Sequence, residues 1–434
     1  MSLLQYQLTG WPGLTNGKAR SSDSRAIRYA SDPATLPRTC FETARDATVQ
    51  IYSSGVFFVM PHVKRCLATF VLVIAMGCGG ADTSTSPDAN ETASTDAPST
   101  TPATPPDDAD AVSALKASAT KLKQSDAGNV TEVDFRGAEI TDTDLEPLTK
   151  LTDLRSLLLN ETAITDDGLQ TVGQLTTLQN LDLRGCGISN AGIEHLTGLT
   201  NLRALRLSGE SGATTVDDGA MASIGKLTNL KALPLDHLWI SETGLAELKG
   251  LTNLEELYLA RTLVGDAGLE VIAQMPSLKK LRISATGVTS DGLKHLQSLS
   301  KLESLDLSEA SQVFDDGLEH LASMTSLKRL NLWRVLISDT GVAHLSGLTN
   351  MEWLNLDNTQ LTDAGLPALK DMHHLKFLHL GSTAVSDAGL IHLEGLTSLE
   401  DLKVTRTAVT EEGVAELQKK LTNTEIQLKY LGGE

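Results

Sequence analysis

Trp353 and Phe377 stand one 24-residue step apart, and Arg329 stands one such step before Trp353. The same step joins Asn331, Asn355 and His379, and Trp333 opens a third column. The chain is only 4% aromatic, so rings grouped in this way, and edged by polar and cationic side chains, have the composition of a binding hot spot. Stacked on one another, the same groups would instead steady a sheet. Tyr258, Arg261, Lys280 and Arg282 make a second, basic group. His195, His295, His320, His344 and His392 share a G-[LIV]-x-H-L context and read as a recurrent packing or surface position rather than a metal ladder. Asp142, Asp166, Asp217, Asp266, Asp315, Asp339, Asp363 and Asp387 recur in T-D-x-G turns. Calcium needs several oxygens converging on one ion, so these acids read as helix-end charge and a source of solubility. No H-E-x-x-H, nucleophile elbow, Walker loop or paired-carboxylate motif is present. No catalytic residue, metal or cofactor is assigned on this basis.

One repeated pattern positions these residues. L-x-x-L-x-L-x-x-T-x-[IV]-[TS]-D-x-G-L-x-x-L recurs about a dozen times, with equivalent first residues at Val130, Leu154, Leu178, Leu202, Leu230, Leu254, Leu278, Leu302, Leu327, Met351, Leu375 and Leu399. The steps are 24 residues, except 28 after Leu202 and 25 after Leu302. Such self-similarity marks a solenoid. Alternation in x-x-L-x-L turns both leucines inward and the residues between them outward, as a short strand requires. Each unit returns by the same route, so the strands are parallel. The second half of the unit reads as a helix, capped by Thr165, with Asp166 and Asp167 at its positive end and Leu169 and Val172 on one face. The glycine after the acids, as at Gly168, Gly292 and Gly389, marks close coil-to-coil packing where a Cβ would clash. Thr162, Thr262, Thr286, Thr359, Thr383 and Thr407, with Cys186 once, can satisfy backbone groups at the turn leaving each strand. The four-residue excess within 209–215 should bulge from the edge.

Over residues 130–428 this pattern resembles the leucine-rich repeat family. The I-T-D-x-G-L segment is similar to the helical, cysteine-containing subclass, known from F-box proteins and from many bacterial proteins, planctomycete ones especially. The resemblance implies an α/β fold, a curved horseshoe with a concave parallel sheet and helices on the convex side. It also implies binding of a protein or an extended polymer on the concave face. Subclass members often carry Cys or Asn where this chain mostly has Thr, and no F-box precedes the repeats.

Residues 60–78 run from basic (Lys64, Arg65) through an apolar stretch to small residues and Gly77-Cys78, the order of a secretory signal. The apolar run falls short of the roughly 20 residues that span a bilayer. Gly77-Cys78 resembles the bacterial lipoprotein lipobox, with Ala75 where that motif usually has Leu. This implies cleavage before Cys78, diacylglycerol on its sulfur, and an anchor on the extracytoplasmic side of a bacterial membrane. Residues 1–59 then lie upstream of the signal and read as an extension from a misplaced start. Residues 79–110 carry seven acids and no Lys or Arg and are rich in Ser, Thr and Pro. They read as a disordered tether with a span of about 30 Å. A helix over 111–124 is expected to head the cap at 111–129, and 429–434 form a polar tail.

Without residues 1–77 the chain loses 8 basic and 4 acidic residues, and its formal charge moves from −19 to −23. Nucleic acid is therefore not an expected partner, because phosphate contacts need a basic surface. Only Cys78 and Cys186 remain, and no disulfide is expected. The reading is a monomeric, membrane-tethered scaffold that binds rather than catalyses, along a strip of strands about 60 Å long. An intracellular adaptor for ubiquitin ligation is the first alternative, opposed by the signal-like segment and the missing F-box. An envelope enzyme with an unrecognised site is the second. For the anchor, fatty-acid labelling is expected to mark the native protein and Cys78→Ser to abolish the label. A mature chain starting elsewhere contradicts it.

Overall fold

The computed structural model describes residues 105–429. The upstream extension at 1–59, the signal-like segment with Cys78, the tether up to 104 and the end of the tail lie outside the described residues.

The chain enters through α1 (Ala109–Ser118), capped by the Asp108 carboxylate, which accepts from the Ala111 N–H. Asp107 ties this entry to the first two coils, accepting from the N–H groups of Val130 at 2.6 Å and Thr152 at 2.8 Å. Residues 107–110 of the segment expected as a disordered tether therefore belong to the folded cap. The helix expected over 111–124 stops at Ser118. Lys121, Leu122, Lys123 and Gln124 leave Leu122 alone half-buried, and they form β1 (Lys121–Gln124), which pairs antiparallel with β2 (Val130–Asp134). The cap is thus a helix plus a strand that covers the sheet's first edge, a common defence of exposed edges.

From β2 onward every unit contributes one short parallel strand. These are β3 (Ser156–Leu158), β4 (Asn180–Asp182), β5 (Ala204–Ser208), β6 (Ala232–Asp236), β7 (Glu256–Tyr258), β8 (Lys280–Arg282), β9 (Ser304–Asp306), β10 (Arg329–Asn331), β11 (Trp353–Asn355), β12 (Phe377–His379), β13 (Asp401–Lys403) and β14 (Glu425–Gln427). The 14 strands lie in sequence order in one sheet. Each returns through a short α- or 3-10 helical turn. The fold is a leucine-rich-repeat solenoid of about 12 repeats, as the periodicity requires. Leu330, Leu354, Leu378 and their counterparts point into one continuous core.

Three polar ladders seal the coils. The hydroxyls of Thr162, Thr262, Thr286, Thr359, Thr383 and Thr407 donate to the carbonyl three residues earlier, at 2.6–2.8 Å. Cys186, a buried free thiol, donates to the Leu159 carbonyl at 3.1 Å. On the far side, Asn201, Asn229, Asn253 and Asn350 donate to a threonine carbonyl of the preceding coil.

The third ladder gives the recurring aspartates a structural role. Asp142 accepts from the Thr165 N–H with one oxygen and from the Thr165 hydroxyl with the other. The same two bonds join Asp166 to Ser189, Asp218 to Ser241, Asp266 to Thr289, Asp315 to Ser338, Asp339 to Thr362, Asp363 to Ser386 and Asp387 to Thr410. The N–H bonds are 2.6–2.8 Å and the hydroxyl bonds 2.5–2.7 Å. Six of these residues, Thr165, Ser189, Ser241, Ser338, Thr362 and Thr410, are also the N-caps of their own helical turns. Asp218, not Asp217, belongs to this row. Asp217 stands at the Ser/Thr position and pairs with Asn190. The glycines now have a stated cause. A Cβ on Gly168, Gly192, Gly244, Gly292, Gly341, Gly365, Gly389 or Gly413 would lie under 3.0 Å from the aspartate of the coil before.

The clash and the bond share one carboxylate, so the two residues must be energetically coupled. Gly292→Ala alone is expected to cost more than about 2 kcal/mol, because the new Cβ meets Asp266. Asp266→Ala alone is expected to cost about 1–3 kcal/mol in lost hydrogen bonds. In the double variant the collision is relieved, and the total should fall short of the sum by roughly 1 kcal/mol or more. Denaturant unfolding of the four proteins measures this, and strict additivity would remove the clash as the reason for the glycine.

Candidate functional site

Within each three-residue strand the first and third side chains face outward. The pairing register sets Arg329 beside Trp353, Trp353 beside Phe377 and Phe377 beside Asp401. It likewise aligns Asn331, Asn355, His379 and Lys403. The first two rows read from the sequence therefore exist on the face of the sheet.

The first row closes into a stack. The Trp353 and Phe377 rings are parallel within 6°, with centroids 4.9 Å apart. The Arg329 guanidinium lies 4.8 Å from the Trp353 centroid, and the Lys403 ammonium 5.4 Å from that of Phe377. His379 meets Phe377 edge-on at 6.3 Å. Cations thus cover both outer faces of the ring pair. A partner meets ring edges and half-buried side chains, not open π-faces, which disfavours stacking of sugars or bases and suits side-chain packing.

The second row is partly committed to the fold. Asn331 Oδ1 accepts from the Trp333 N–H at 3.2 Å, and Asn355 Oδ1 from the Asp357 N–H at 2.9 Å. Asp134, Asp182 and Asp306 cap their turns in the same way. The sequence signal was the recurrent Asp or Asn two residues before the turn, an Asx motif. What Asn331 and Asn355 present outward is their amide N–H groups. Trp333 lies beyond β10, in the turn, where Arg334 covers its ring at 5.3 Å. Asp357, His379 and Thr405 converge over Gly381, where a Cβ would sit 2.8–2.9 Å from a polar atom of each. Burial pushes the His379 imidazole below its ordinary pKa, against the opposing pull of Asp357 4.0 Å away.

The second group is not the basic patch the sequence suggested. Lys280 is paired with Glu256 at 2.8 Å, and Arg282 with Asp236 at 3.0 Å and Asp306 at 3.4 Å while lying over Tyr258. Arg261 is not on the strand face at all. It sits in the following turn at φ 56° and reaches two coils onward to Glu309 at 2.6 Å, which also holds Arg334 at 3.1 Å. These carboxylates come from neighbouring coils, so a column-by-column reading of basic residues missed them. A depression of about 320 Å³ joins the two groups, with Tyr258, Lys280 and Arg282 on one side and Arg329, Asn331 and Trp353 on the other.

The excess residues near 210 do leave the regular path. Glu210 and Ser211 are exposed and help line a larger depression, about 760 Å³, with Arg184, Arg206, Asp236 and Arg261. Trp239 and Leu263, one step apart, are 73% and 56% exposed at the edge, and the sequence reading passed over both. Among the described residues, no group of three or more His, Cys, Asp or Glu side chains is placed to hold a metal ion, and no helix is long and apolar enough to cross a membrane.

A family profile described as Leucine Rich repeat matches residues 174–196 and 371–393. No curated protein sequence matches the chain. The solved structures similar to it include an internalin from Listeria monocytogenes, 21% identical, covering 75% of this chain and 96% of that one, with a TM-score of 0.49. Another is a leucine-rich-repeat protein from Leptospira interrogans, 19% identical, covering 65% and 74%, with a TM-score of 0.47.

The stack's internal worth is measurable without a partner. A parallel ring pair is expected to couple by about 0.5–1.5 kcal/mol. A double-mutant cycle with Trp353→Ala and Phe377→Ala, read by denaturant unfolding, is expected to give that coupling, and zero coupling would mean that the rings only share a surface.

Proposed function

We propose that the chain, a leucine-rich repeat protein, is a non-catalytic binding scaffold whose outward sheet face takes a protein or an extended polymer. The Arg329–Trp353–Phe377–Lys403 stack carries this reading. It concentrates aromatic and cationic groups on the exposed face of a chain poor in aromatics. Anchors of that kind dominate binding energy where they occur. The face is concave in this proposal, and its partner lies along several strands. The order of residues 60–78 supports an extracytoplasmic, lipid-anchored location through Cys78 in a bacterial envelope. Two or three acyl chains would hold it firmly, since one alone binds only marginally. The T-D-x-G-L consensus supports membership of the helical, cysteine-containing subclass.

Cross-linking in the native envelope, followed by mass spectrometry, is expected to recover a partner. Trp353→Ala and Phe377→Ala should each then weaken its binding by more than about 1 kcal/mol, measured on folded protein. Unaltered affinity in the double variant would exclude the stack as the anchor. Turnover of an envelope polymer by the purified chain would replace the scaffold with an enzyme.

A further inference from the structure

Two arginines on the sheet face stack on aromatic rings at the same distance. Arg282 lies 4.8 Å from the Tyr258 centroid and Arg329 4.8 Å from that of Trp353. A guanidinium stacked through its face keeps its in-plane N–H groups free to donate sideways. Arg282 uses them on Asp236 and on Asp306, its neighbour in the next strand. On the side of Arg329 away from its ring, the neighbour is Ser304 in the preceding strand, which is short and uncharged. Among the described residues, no carboxylate lies within the 4.0 Å ion-pair distance of Arg329. Several other cations are matched: Lys123 with Glu132, Arg184 with Asp182, Lys280 with Glu256, Lys403 with Asp401. The space above Ser304 is the depression of about 320 Å³, lined by three cations, Lys280, Arg282 and Arg329, and one acid, Asp306.

We propose that this depression receives the carboxylate of an aspartate or glutamate side chain on a protein partner. The carboxylate takes the N–H fork of Arg329, the position left without an acid where Arg282 has Asp236 and Asp306 beside it. Lys280 adds a second positive charge across the gap, and the Ser304 hydroxyl and Asn331 amide supply further donors. A planar monoanion matches the fork in shape and charge. A phosphate dianion brings extra charge against Asp306. The inference rests on the scaffold reading and adds the chemistry of the group recognised.

The test titrates the full chain with the blocked peptide acetyl-Gly-Gly-Glu-Gly-Gly-amide and its Gln counterpart, followed by ligand-observed NMR. An all-glycine peptide with a free C-terminal carboxylate, and inorganic phosphate, complete the panel. The Glu peptide is expected to bind about fivefold tighter than the Gln peptide, with the difference shrinking as salt is added. Arg329→Gln should erase the difference, Lys280→Gln, which removes a lining cation and frees Glu256, should reduce it, and Arg184→Gln, whose cation lies outside the depression, should leave it intact. Equal binding of the Glu and Gln peptides, or a preference that survives Arg329→Gln in folded protein, overturns the site. Tighter binding of phosphate, or of the terminal carboxylate, overturns the assignment to an acidic side chain. Failure of this site and of the scaffold reading are separable. A lost peptide preference alongside a captured partner sensitive to Trp353→Ala removes the depression alone. A retained preference with no partner captured in the envelope removes the scaffold alone.

Discussion

The solenoid depends on one carboxylate per coil. In eight of the coil junctions an aspartate holds both the N–H and the hydroxyl of the equivalent Ser or Thr in the next coil. Charge-assisted bonds of this kind are roughly twice as strong as neutral ones. The interaction dictates three positions of the repeat at once: the acid, the hydroxyl residue and the glycine that leaves room for the acid. Where the acid changes, its partners change with it. Asn190 meets Asp217, Glu242 meets the Gly265 N–H, and Ser290 accepts from the Phe314 N–H. With the carboxylates so engaged, the acidic row needs no cation to explain it.

Charge on the outside of the molecule follows the same rule of matching between coils. Glu255 lies between Lys231 and Lys279, one from the coil on either side, at 2.7 Å from each. The two lysines lower its pKa to about 2, below the ordinary carboxylate value. A depressed acid stabilises the fold fully above its unfolded pKa and loses that contribution as the pH falls toward the folded value. The group is exposed, so screening keeps the effect small, and exposed pairs of this kind generally contribute little. Their value here is orientation: they fix which cations already have a carboxylate partner.

The repeat made the fold legible. Alternation of Leu330, Arg329 and Asn331, repeated every 24 residues, requires a parallel sheet with those two polar residues outward, and the register confirms the rows. The aromatic and cationic neighbours were legible for the same reason. Less was readable where the partner comes from another coil. Asp266 and Thr289 are 23 residues apart, and nothing local marks them as a pair. Arg261 was grouped with Tyr258, Lys280 and Arg282, yet it lies three residues beyond the end of its short strand. Lys280 and Arg282 looked free because Glu256 and Asp236 belong to preceding strands. At the cap, Lys121 to Gln124 carry no turn signal, and only the unpaired edge of β2 gives them a partner.

The junctions that carry the full pair of aspartate bonds are not spread evenly. From Asp315 to Thr410 they run without interruption, and β10 to β13, with the ring stack, ride on that run. The junction just before it, Ser290 to Phe314, has a neutral hydroxyl in place of the carboxylate. Stability in a solenoid is a sum of nearest-neighbour terms, and this one differs in kind from the run that follows it. The walls of the depression fall on opposite sides of this joint, Lys280 on β8 and Arg329 on β10. An occupant of the depression that touched both walls would therefore brace this junction from outside, adding a contact between coils where the aspartate pair is missing.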